Sequence, residues 1–379
     1  MKKHFCYELY KNLAIWSNNS KLEYAPCSYF AGPRFSTEDN HFDLTKVWNH
    51  PQRKIYKIAA ENDQPVAGCE VCYDRELAGL PSRRQGTFSL YETFFNKSEL
   101  DDSQGPIAID YSVGNLCNLK CIICMPENST SWIPDHIKLY NETNQSKYKK
   151  YNQLEIIDLD LLKNLKYIHF HGGGDPLMSD HHKNILLQIK KAKGLSDVRV
   201  SYNINGTFKV SKEILELWEE CQLIELYFSI DDIGPRFEYQ RTNAKWKKVQ
   251  DTLAWFYKNM PPNHLFYISC TYSYLNILYL DELIAWKNQN FSKNRLGDDT
   301  KLLFEQVERK CTLDAVSPKF YNILKKKFNG VTELTGVLSR LTVTTDYIPT
   351  AFINYVEDLD KIRNTNWRAI LPELALALD

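Results

Sequence analysis

The sequence has no excess charge of either sign and no long hydrophobic run. Its 379 residues carry 47 Lys and Arg against 47 Asp and Glu, so the formal net charge is zero. Nothing in this balance points to nucleic acid or to an anionic membrane. No apolar stretch approaches the ~20 residues that span a bilayer, and the charged residues 1–11 lack the apolar core of a signal peptide. We therefore expect a cytoplasmic protein with neither a membrane nor a nucleic-acid partner.

Ten cysteines stand out against this ordinary composition. Thiols stay reduced in the cytoplasm, so disulfides do not account for them and metal binding is the leading explanation. Cys221, Cys270 and Cys311 are isolated beside apolar segments. These three are predicted to pack as small hydrophobic residues.

Strands and helices alternate after residue 105, whereas the first hundred residues carry few long periodic segments, and the polar run 96–105 is typical of a linker. Strands are predicted at 107–113, 165–170, 198–204, 223–230, 265–272 and 302–307, with helices at 131–140, 182–193, 211–221, 244–259 and 280–289. This alternation indicates βαβ units, a parallel sheet and an α/β fold. Five or six units are too few for a closed eight-fold barrel, so we expect a partial barrel.

Cys117, Cys121 and Cys124 follow the first of these strands at spacings of four and three residues. Three thiolates in this cysteine loop (residues 117–124) can face one iron–sulfur cube. Four-iron clusters normally take four protein thiolates, so three leave one iron open to a small-molecule ligand. A zinc site with a distant fourth ligand and buried free thiols are the alternatives.

The C-x3-C-x2-C pattern after a first strand resembles the radical S-adenosylmethionine (SAM) superfamily. The resemblance implies a partial (β/α)6-type barrel in which the open iron of a 4Fe-4S cluster binds the amino and carboxylate groups of SAM. Reduction then gives a 5′-deoxyadenosyl radical that abstracts hydrogen from substrate, with an electron donor such as flavodoxin or ferredoxin as partner. Ile123 stands where the family often has an aromatic residue against adenine, so apolar contact is expected without π-stacking.

Motifs at the ends of later strands resemble further elements of this family. Gly173, Gly174 and Asp175 match its G-G-E-P motif, which implies that this backbone and the carboxylate receive the cofactor's ammonium group. Asn205 matches the T-N-G segment that lines the pocket. The remaining matches are Ser229 and Asp231, in an S-x-D/E element near the ribose hydroxyls, and Arg241, an arginine that pairs with the cofactor carboxylate. Ordinary turn chemistry or a surface salt bridge is the alternative for these residues.

Two histidines, His169 and His171, lie two residues apart on a predicted strand and should project from one face. They could form a polar pocket wall, donate a proton or serve as structural histidines. The pair His181-His182 opens a helix and is predicted to lie at the surface. No catalytic acid or base is assigned from the sequence.

Four further cysteines, Cys6, Cys27, Cys69 and Cys72, precede the barrel and are called here the accessory cysteines. Their segment resembles a twitch or SPASM-like accessory domain, although that domain usually follows the barrel. The resemblance implies an auxiliary four-iron cluster, while a zinc site or no metal remain open. The predicted domains are 1–100 (accessory), 105–315 (barrel) and 316–379 (C-terminal helical cap).

The function expected from this resemblance is radical SAM modification of a peptide or protein, by crosslinking or epimerisation. One alternative is dehydrogenation or rearrangement of a small molecule such as a sugar, nucleoside or amino acid. A non-catalytic metal-binding scaffold is the third possibility.

Overall fold

The computed structural model describes residues 3–18, 21–37, 42–77, 79, 82–92, 105–112, 114–142, 148, 156–157, 159–261, 264–294, 297–307, 310–313 and 315–379. Most of the predicted linker at 96–105 therefore lies outside the described residues. By its internal contacts the chain divides into two compact units. The first comprises Met1–Leu116, Lys149–Tyr202 and Ser211–Ile224, and the second Cys117–Tyr148, Asn203–Val210 and Glu225–Asp379.

The strands in the described residues are β1 (Asn12–Asn18), β2 (Lys21–Ala25), β3 (Phe35–Thr37), β4 (Phe42–Asp43), β5 (Ala108–Ser112), β6 (Ile156–Ile157), β7 (Tyr167–Phe170), β8 (Arg199–Ile204), β9 (Leu223–Ser229), β10 (His264–Tyr272) and β11 (Leu302–Gln306). The α-helices are α1 (Glu8–Lys11), α2 (Leu44–Trp48), α3 (Pro51–Glu61), α4 (Glu70–Leu77), α5 (Arg83–Glu92), α6 (Ile133–Tyr140), α7 (His181–Lys193), α8 (Lys212–Glu219), α9 (Gly234–Gln240), α10 (Trp246–Asn259), α11 (Leu280–Asn290), α12 (Pro318–Lys327), α13 (Thr335–Leu338), α14 (Thr350–Arg363), α15 (Trp367–Ile370) and α16 (Pro372–Leu378).

A largely parallel sheet organises the first unit. Its strands follow the order β8-β7-β5-β1-β2-β3. The pairs β1–β5, β5–β7 and β7–β8 are parallel, whereas β2 pairs antiparallel with both β1 and β3. Parallel pairing places the carboxyl ends of β5, β7 and β8 at one edge of the sheet, which is where ligands bind in such folds.

Side-chain alternation explains why the central strands of this unit form and how they are oriented. Ile109, Ile168 and Val200 are paired in register and are almost fully buried. The next residue along each strand is polar, and Asp110, His169 and Ser201 form a second row in register. Since successive strand residues point to opposite faces, one face of β5, β7 and β8 is apolar and the other is polar at this level.

The second unit contains β10 and β11, which pair in parallel, and an aromatic core. The rings of Phe228, Phe256 and Phe266 pack at centroid distances of 4.6–5.3 Å. In the C-terminal segment, the buried Asp360 carboxylate accepts hydrogen bonds from the Tyr239 hydroxyl at 3.0 Å and from the Trp367 backbone N–H at 2.6 Å. These contacts fix α14 and α15 against α9.

The structure confirms the α/β class and the parallel pairing expected of a partial barrel. The predicted strands and helices after residue 105 occur within a few residues of their expected bounds. Ser211 caps α8 by accepting a hydrogen bond from the Ile214 N–H at 3.4 Å. The N-terminal strands were not predicted, and β1 joins the sheet beside β5. His182 is 2 % exposed, so its predicted surface position is wrong: α7 begins at His181 and turns His182 inward, where its imidazole meets the Tyr202 hydroxyl.

The three domain boundaries remain a prediction. Cys221, Cys270 and Cys311 are buried, in keeping with the packing role expected of them. Among the described residues, no helix combines the length and the apolar composition needed to cross a membrane.

Candidate functional site

The cysteine loop lies in the second unit and is held by hydrogen bonds to its backbone carbonyls. The Trp132 indole N–H donates to the Cys121 carbonyl at 2.6 Å, and the Ser131 hydroxyl donates to the Cys117 carbonyl at 2.8 Å. The Tyr355 hydroxyl on α14 donates to the Ile122 carbonyl at 2.8 Å. Side-chain donors therefore hold the backbone of the loop, and the cysteine sulfurs take no part in these hydrogen bonds.

Each cysteine sulfur of the loop has a polar neighbour. The Asn205 amide donates to the Cys117 sulfur at 3.7 Å and the Arg241 guanidinium to the Cys121 sulfur at 3.9 Å. The Cys124 thiol lies 3.7 Å from the Met125 carbonyl. Donors aimed at sulfur favour the thiolate form, which is the form that binds metal.

Burial, by contrast, favours the neutral thiols as long as no cation is bound. Burial, together with the neighbouring charges of Cys121 and Cys117, raises the pKa of Cys124 to about 12. Burial also raises the pKa of Cys121, although the Arg241 charge pulls it down. Three adjacent thiolates in this setting need positive charge between them, so the loop suits a metal centre.

The three sulfurs of the loop do not converge on one point as the ligands of a single zinc ion do. Thiolates on one tetrahedral zinc lie roughly 3.8 Å apart, given Zn–S bonds of ~2.3 Å. Within the described part of the chain, only Asp110, His169 and His171 bring three ligand atoms within 4.8 Å of one another. The three sulfurs of the loop are therefore spread more widely than one ion requires.

Two predicted site residues of the second unit, Asp231 and Arg241, are paired with each other just after β9. One carboxylate oxygen of Asp231 accepts from the Arg241 guanidinium at 2.8 Å, and the other accepts from the Thr271 N–H at 2.9 Å. The Asn276 amide donates to the Asp231 carbonyl at 2.8 Å. Burial lowers the pKa of Arg241, but the Asp231 charge outweighs it and raises the pKa overall. Arg241 thus connects Asp231 to the cysteine loop as a permanent cation.

Asn205 and Ser229 are also predicted site residues of this unit. Asn205 is 6 % exposed, and its carbonyl oxygen accepts from the Thr207 N–H at 2.9 Å. Its amide bonds Asn118 at 3.0 Å in addition to the Cys117 sulfur. Ser229 is the partly buried last residue of β9. Asn205 is therefore tied to the cysteine loop by two direct contacts.

An aromatic cavity of about 300 Å³ opens beside the loop in the second unit. Its wall includes Ile123 and Cys124, and its further lining residues are Ile122, Met125, Trp132, His136, Tyr140, Lys310, Cys311 and Tyr355. Ile123 therefore faces an apolar space bounded by ring systems. Its predicted contact with adenine stays a prediction.

The glycine motif lies in the first unit, directly after β7. Gly173 and Gly174 have φ of 61° and 97°. A Cβ at Gly173 would come within 3.0 Å of the Gly114 carbonyl, and one at Gly174 within 3.0 Å of the Leu116 carbonyl. Asp175 donates its backbone N–H to Leu116 at 2.9 Å, and its carboxylate caps the next turn at the Leu177 N–H, 2.9 Å away. Only glycine permits this close approach of two backbones.

The accessory cysteines gather in the first unit. Cys6, Cys27 and Cys69 pack in one apolar cluster with Phe30, and the Cys72 N–H donates to the Cys69 carbonyl at 3.1 Å. Burial raises the pKa of each of Cys6, Cys27 and Cys69, and the charges of the other accessory cysteines raise it further. The four thiols therefore act on one another electrostatically at one place.

Known proteins resemble the chain most clearly in its middle. Residues 111–283 match the model of the Radical SAM superfamily. These residues form a radical SAM domain. Members of this superfamily are enzymes that use a 4Fe-4S cluster and SAM, so these are the cofactors of the domain. The cysteine loop and the predicted residues Ile123, Gly173, Gly174, Asp175, Asn205, Ser229, Asp231 and Arg241 all fall within it.

Two curated relatives match part of this chain. The GTP 3′,8-cyclase of Aquifex aeolicus (strain VF5) is 25% identical over 146 residues, 38% of this chain and 41% of the relative. The GTP 3′,8-cyclase of Limosilactobacillus fermentum (strain NBRC 3956 / LMG 18251) is 28% identical over 128 residues, 33% of each chain. The matches thus span about two-fifths or less of these relatives.

Solved structures of radical SAM proteins are also similar. Native anSMEcpe with bound AdoMet has a TM-score of 0.38 and 16% identity, over 62% of this chain and 63% of that one. Streptococcus suis SuiB bound to precursor peptide SuiA has a TM-score of 0.37 and 11% identity, over 94% and 78%.

A cluster of polar side chains in the first unit was not predicted from the sequence. Arg83 donates to Glu8 at 2.6–3.0 Å and to Asp110 at 2.7 Å, and Asp110 approaches His169 at 3.6 Å. His169 stacks on His171 with ring centroids 4.7 Å apart, so the shared face predicted for these histidines is confirmed. The only sequence signal for this group was that histidine pair.

Proposed function

We propose that this chain is a radical SAM enzyme whose cluster is held by Cys117, Cys121 and Cys124. The supporting observation is that these three thiols, buried or partly buried, share one loop in which Asn205 and Arg241 donate to the sulfurs of Cys117 and Cys121. When bound, the cluster supplies the electron that cleaves SAM to methionine and a 5′-deoxyadenosyl radical, which abstracts hydrogen from substrate.

The chain's own residues bind and orient the two cofactors in this proposal. Asn205 and Arg241 offset thiolate charge at the sulfurs, a contact that tunes cluster potential. Arg241 is kept cationic by Asp231 and supplies the guanidinium that the resemblance assigns to the cofactor carboxylate. The glycine backbone and Asp175 provide the acceptors assigned to the ammonium group. Ser229 and Asp231 are assigned to the ribose hydroxyls, and Ile123 to the adenine.

Anaerobic reconstitution with iron and sulfide tests this function. With dithionite and SAM, the protein should form 5′-deoxyadenosine, and Cys117→Ala, Cys121→Ala or Cys124→Ala should abolish it. Cys221→Ala is the matched control, since it removes a buried thiol outside the loop and should retain product formation. If the cluster is fully loaded and no 5′-deoxyadenosine forms, the result would favour a non-catalytic metal-binding scaffold. Zinc in place of iron in the loop would refute the proposal.

We further propose an auxiliary iron–sulfur cluster at Cys6, Cys27, Cys69 and Cys72. The support is that four thiols meet in one place, the number that such a cluster takes from protein. A full-length variant with the three loop cysteines replaced by alanine should then retain about four irons per chain. Loss of all iron from that variant would exclude the auxiliary cluster, and zinc there would identify a zinc site.

The proposed substrate is a peptide or protein, modified by crosslinking or epimerisation, because accessory cysteines accompany such activity in similar proteins. A small-molecule reaction is the second candidate, since the two curated relatives are GTP 3′,8-cyclases. GTP is therefore the first probe. Stimulation of 5′-deoxyadenosine formation by GTP, with GTP consumed, would favour the small-molecule reaction. If GTP has no effect, peptides encoded beside the gene are the next probes. The proposed setting is the cytoplasm, with flavodoxin or ferredoxin as electron donor.

A further inference from the structure

Arg363, the last residue of α14, is a buried cation of the second unit. Its side chain is 3% exposed, and its Nε donates to the Asp135 carboxylate at 2.7 Å. Its Nη1 donates to the Thr242 hydroxyl at 3.1 Å, while its buried Nη2 has no hydrogen-bond partner among the described residues. A guanidinium stays charged in proteins, so a positive charge is held at this position.

Two routes join Arg363 to the backbone of the cysteine loop. The guanidinium lies over the Trp132 ring, 5.3 Å from its centroid, and the Trp132 indole donates to the Cys121 carbonyl at 2.6 Å. Thr242 forms the second route, because its carbonyl accepts from the backbone N–H of Lys120 at 3.1 Å. Both routes end at Cys121 or at the residue before it. Arg363 therefore lies close to one of the three cysteines of the loop.

The charges on this side of the loop do not cancel. One oxygen of Asp135 accepts from Arg363, and the other accepts from the Lys120 ammonium at 3.0 Å. Within the described ranges, neither cation forms an ion pair with any other carboxylate. Two cations and one carboxylate leave one net positive charge. We call Arg363, Asp135 and Lys120 the charge triad.

The charge of Arg363 acts on the Cys121 sulfur. Burial raises the pKa of Cys121, and the charges of Arg241 and Arg363 both oppose that rise. Arg241 is balanced by its 2.8 Å pair with Asp231, whereas the charge triad is not balanced. Buried charges are little screened by salt, so this excess positive charge is felt across the loop.

We propose that Arg363 raises the reduction potential of the iron–sulfur cluster at the cysteine loop, as the unbalanced cation of the charge triad. The inference rests on the proposed cluster at this loop. One electron from a reductant such as dithionite, flavodoxin or ferredoxin enters the cluster, and no bond in the protein forms or breaks. A nearby buried cation stabilises the added negative charge and makes electron uptake more favourable. Arg363 acts in this way without contact to SAM or substrate.

The C-terminal helix α14 becomes part of the redox site in this arrangement. Arg363 and Asp135 are 228 positions apart in the chain, so the charge reaches the loop only when α14 is docked. Tyr355 on the same helix donates to the Ile122 carbonyl at 2.8 Å. Docking of α14 therefore brings both a hydrogen bond and a charge to the cysteine loop.

Potentiometric titration of the reconstituted full-length protein tests this inference, with electron paramagnetic resonance as the readout. A parallel sample with SAM identifies the loop cluster, since its open iron makes that signal sensitive to SAM. Arg363→Met removes the charge and keeps a long side chain. Its cluster should bind the electron about tenfold less tightly, which corresponds to a fall in midpoint potential of about 59 mV. Arg363→Lys retains the charge and should stay near the parent potential.

Asp135→Asn separates charge from structure. It leaves two cations without their carboxylate, so the potential should rise by a similar amount. The double variant Arg363→Met/Asp135→Asn retains only Lys120, restores the net charge of the parent triad and should return to about the parent potential. Arg368→Met is the matched control, because this arginine on α15 is 43% exposed and should not affect the potential.

The contradicting outcomes distinguish this inference from the proposed function. A parent protein without an iron–sulfur cluster at the loop overturns both. A loaded cluster whose potential is unchanged in Arg363→Met, or shifts in the same direction in Arg363→Met and Asp135→Asn, overturns the inference alone. If Arg363→Met does not fold, Lys120→Met removes the other cation at a side chain that is 21% exposed. Its potential should then fall, and an unchanged potential would overturn the inference.

Discussion

The Arg241 guanidinium donates to the Cys121 sulfur at 3.9 Å while it is paired with Asp231 at 2.8 Å. Both partners are anionic once Cys121 binds metal, and all three side chains are buried. One cation therefore compensates a carboxylate and a thiolate that would otherwise repel each other. This geometry makes Arg241 a structural support of the cysteine loop as well as a candidate ligand of SAM.

Arg241→Ala should destabilise the protein by about 3–5 kcal/mol because it leaves the buried Asp231 carboxylate uncompensated. Anaerobic chemical unfolding measures this loss. The double variant Arg241→Ala/Asp231→Asn should recover much of the stability, because no unpaired charge then remains. If the single and double variants are equally unstable, the Asp231 charge is not the cause.

Gly174→Ala should be far more damaging than alanine at a glycine of similar conformation in open space. Gly174 and Gly330 both have positive φ, at 97° and 83°. A Cβ at Gly330 meets nothing within 4 Å, whereas one at Gly174 collides with the Leu116 backbone. Gly330→Ala should therefore cost only the backbone strain of about 1–2 kcal/mol. Gly174→Ala should cost more, measured as the shift in thermal midpoint. Equal shifts would contradict the close approach.

Residue spacing made the cysteine loop predictable. Three cysteines within eight residues form a local pattern, and the parallel arrangement predicts that Asn205 and Asp231 follow strands near them. The Arg83–Glu8 pair has no such signal because its members are 75 positions apart. Arg83 and Asp110 are 27 apart and belong to a helix and a strand. A pairing of this kind depends on tertiary packing, which the sequence pattern does not encode.

The N-terminal strand β1 was missed for a related reason. Leu13, Ala14 and Ile15 are all fully buried. Successive residues of β1 therefore do not alternate between buried and exposed positions, as they do in a half-exposed strand. What stabilises β1 is its parallel pairing with β5, about 96 residues later in the chain, where Asn12 lies opposite Ala108. A buried strand of this length is ambiguous until its partner is known.

Tyr355→Phe should weaken the cysteine loop without disturbing the packing of α14. The phenol donates to the Ile122 carbonyl at 2.8 Å, and its loss leaves a buried carbonyl unpaired at a cost of about 1 kcal/mol. We expect faster iron loss to a chelator from the reconstituted protein. Tyr321→Phe on α12 is the control and should lose iron at the parent rate. Parent-like iron loss from Tyr355→Phe would mean that this hydrogen bond does not hold the loop.

His182 should make the protein less stable in mild acid. Its imidazole is 2 % exposed and contacts the Tyr202 hydroxyl at 3.1 Å, and burial lowers the pKa of His182 to about 4. The unfolded chain, with a pKa near 6.5, binds this proton first as the pH falls, so stability declines between about pH 6.5 and pH 4. At about pH 5 the loss from this group should reach about 2 kcal/mol.

His182→Gln retains a hydrogen-bonding group for Tyr202 but cannot titrate. Urea unfolding at about pH 7 and pH 5 should therefore show a smaller acid-induced loss in this variant than in the parent protein, by about 2 kcal/mol. His181→Gln, at the adjacent and less buried position, should retain the larger loss. If His182→Gln loses as much stability as the parent, the proton is taken up elsewhere, and the buried neutral imidazole is not what limits stability in acid.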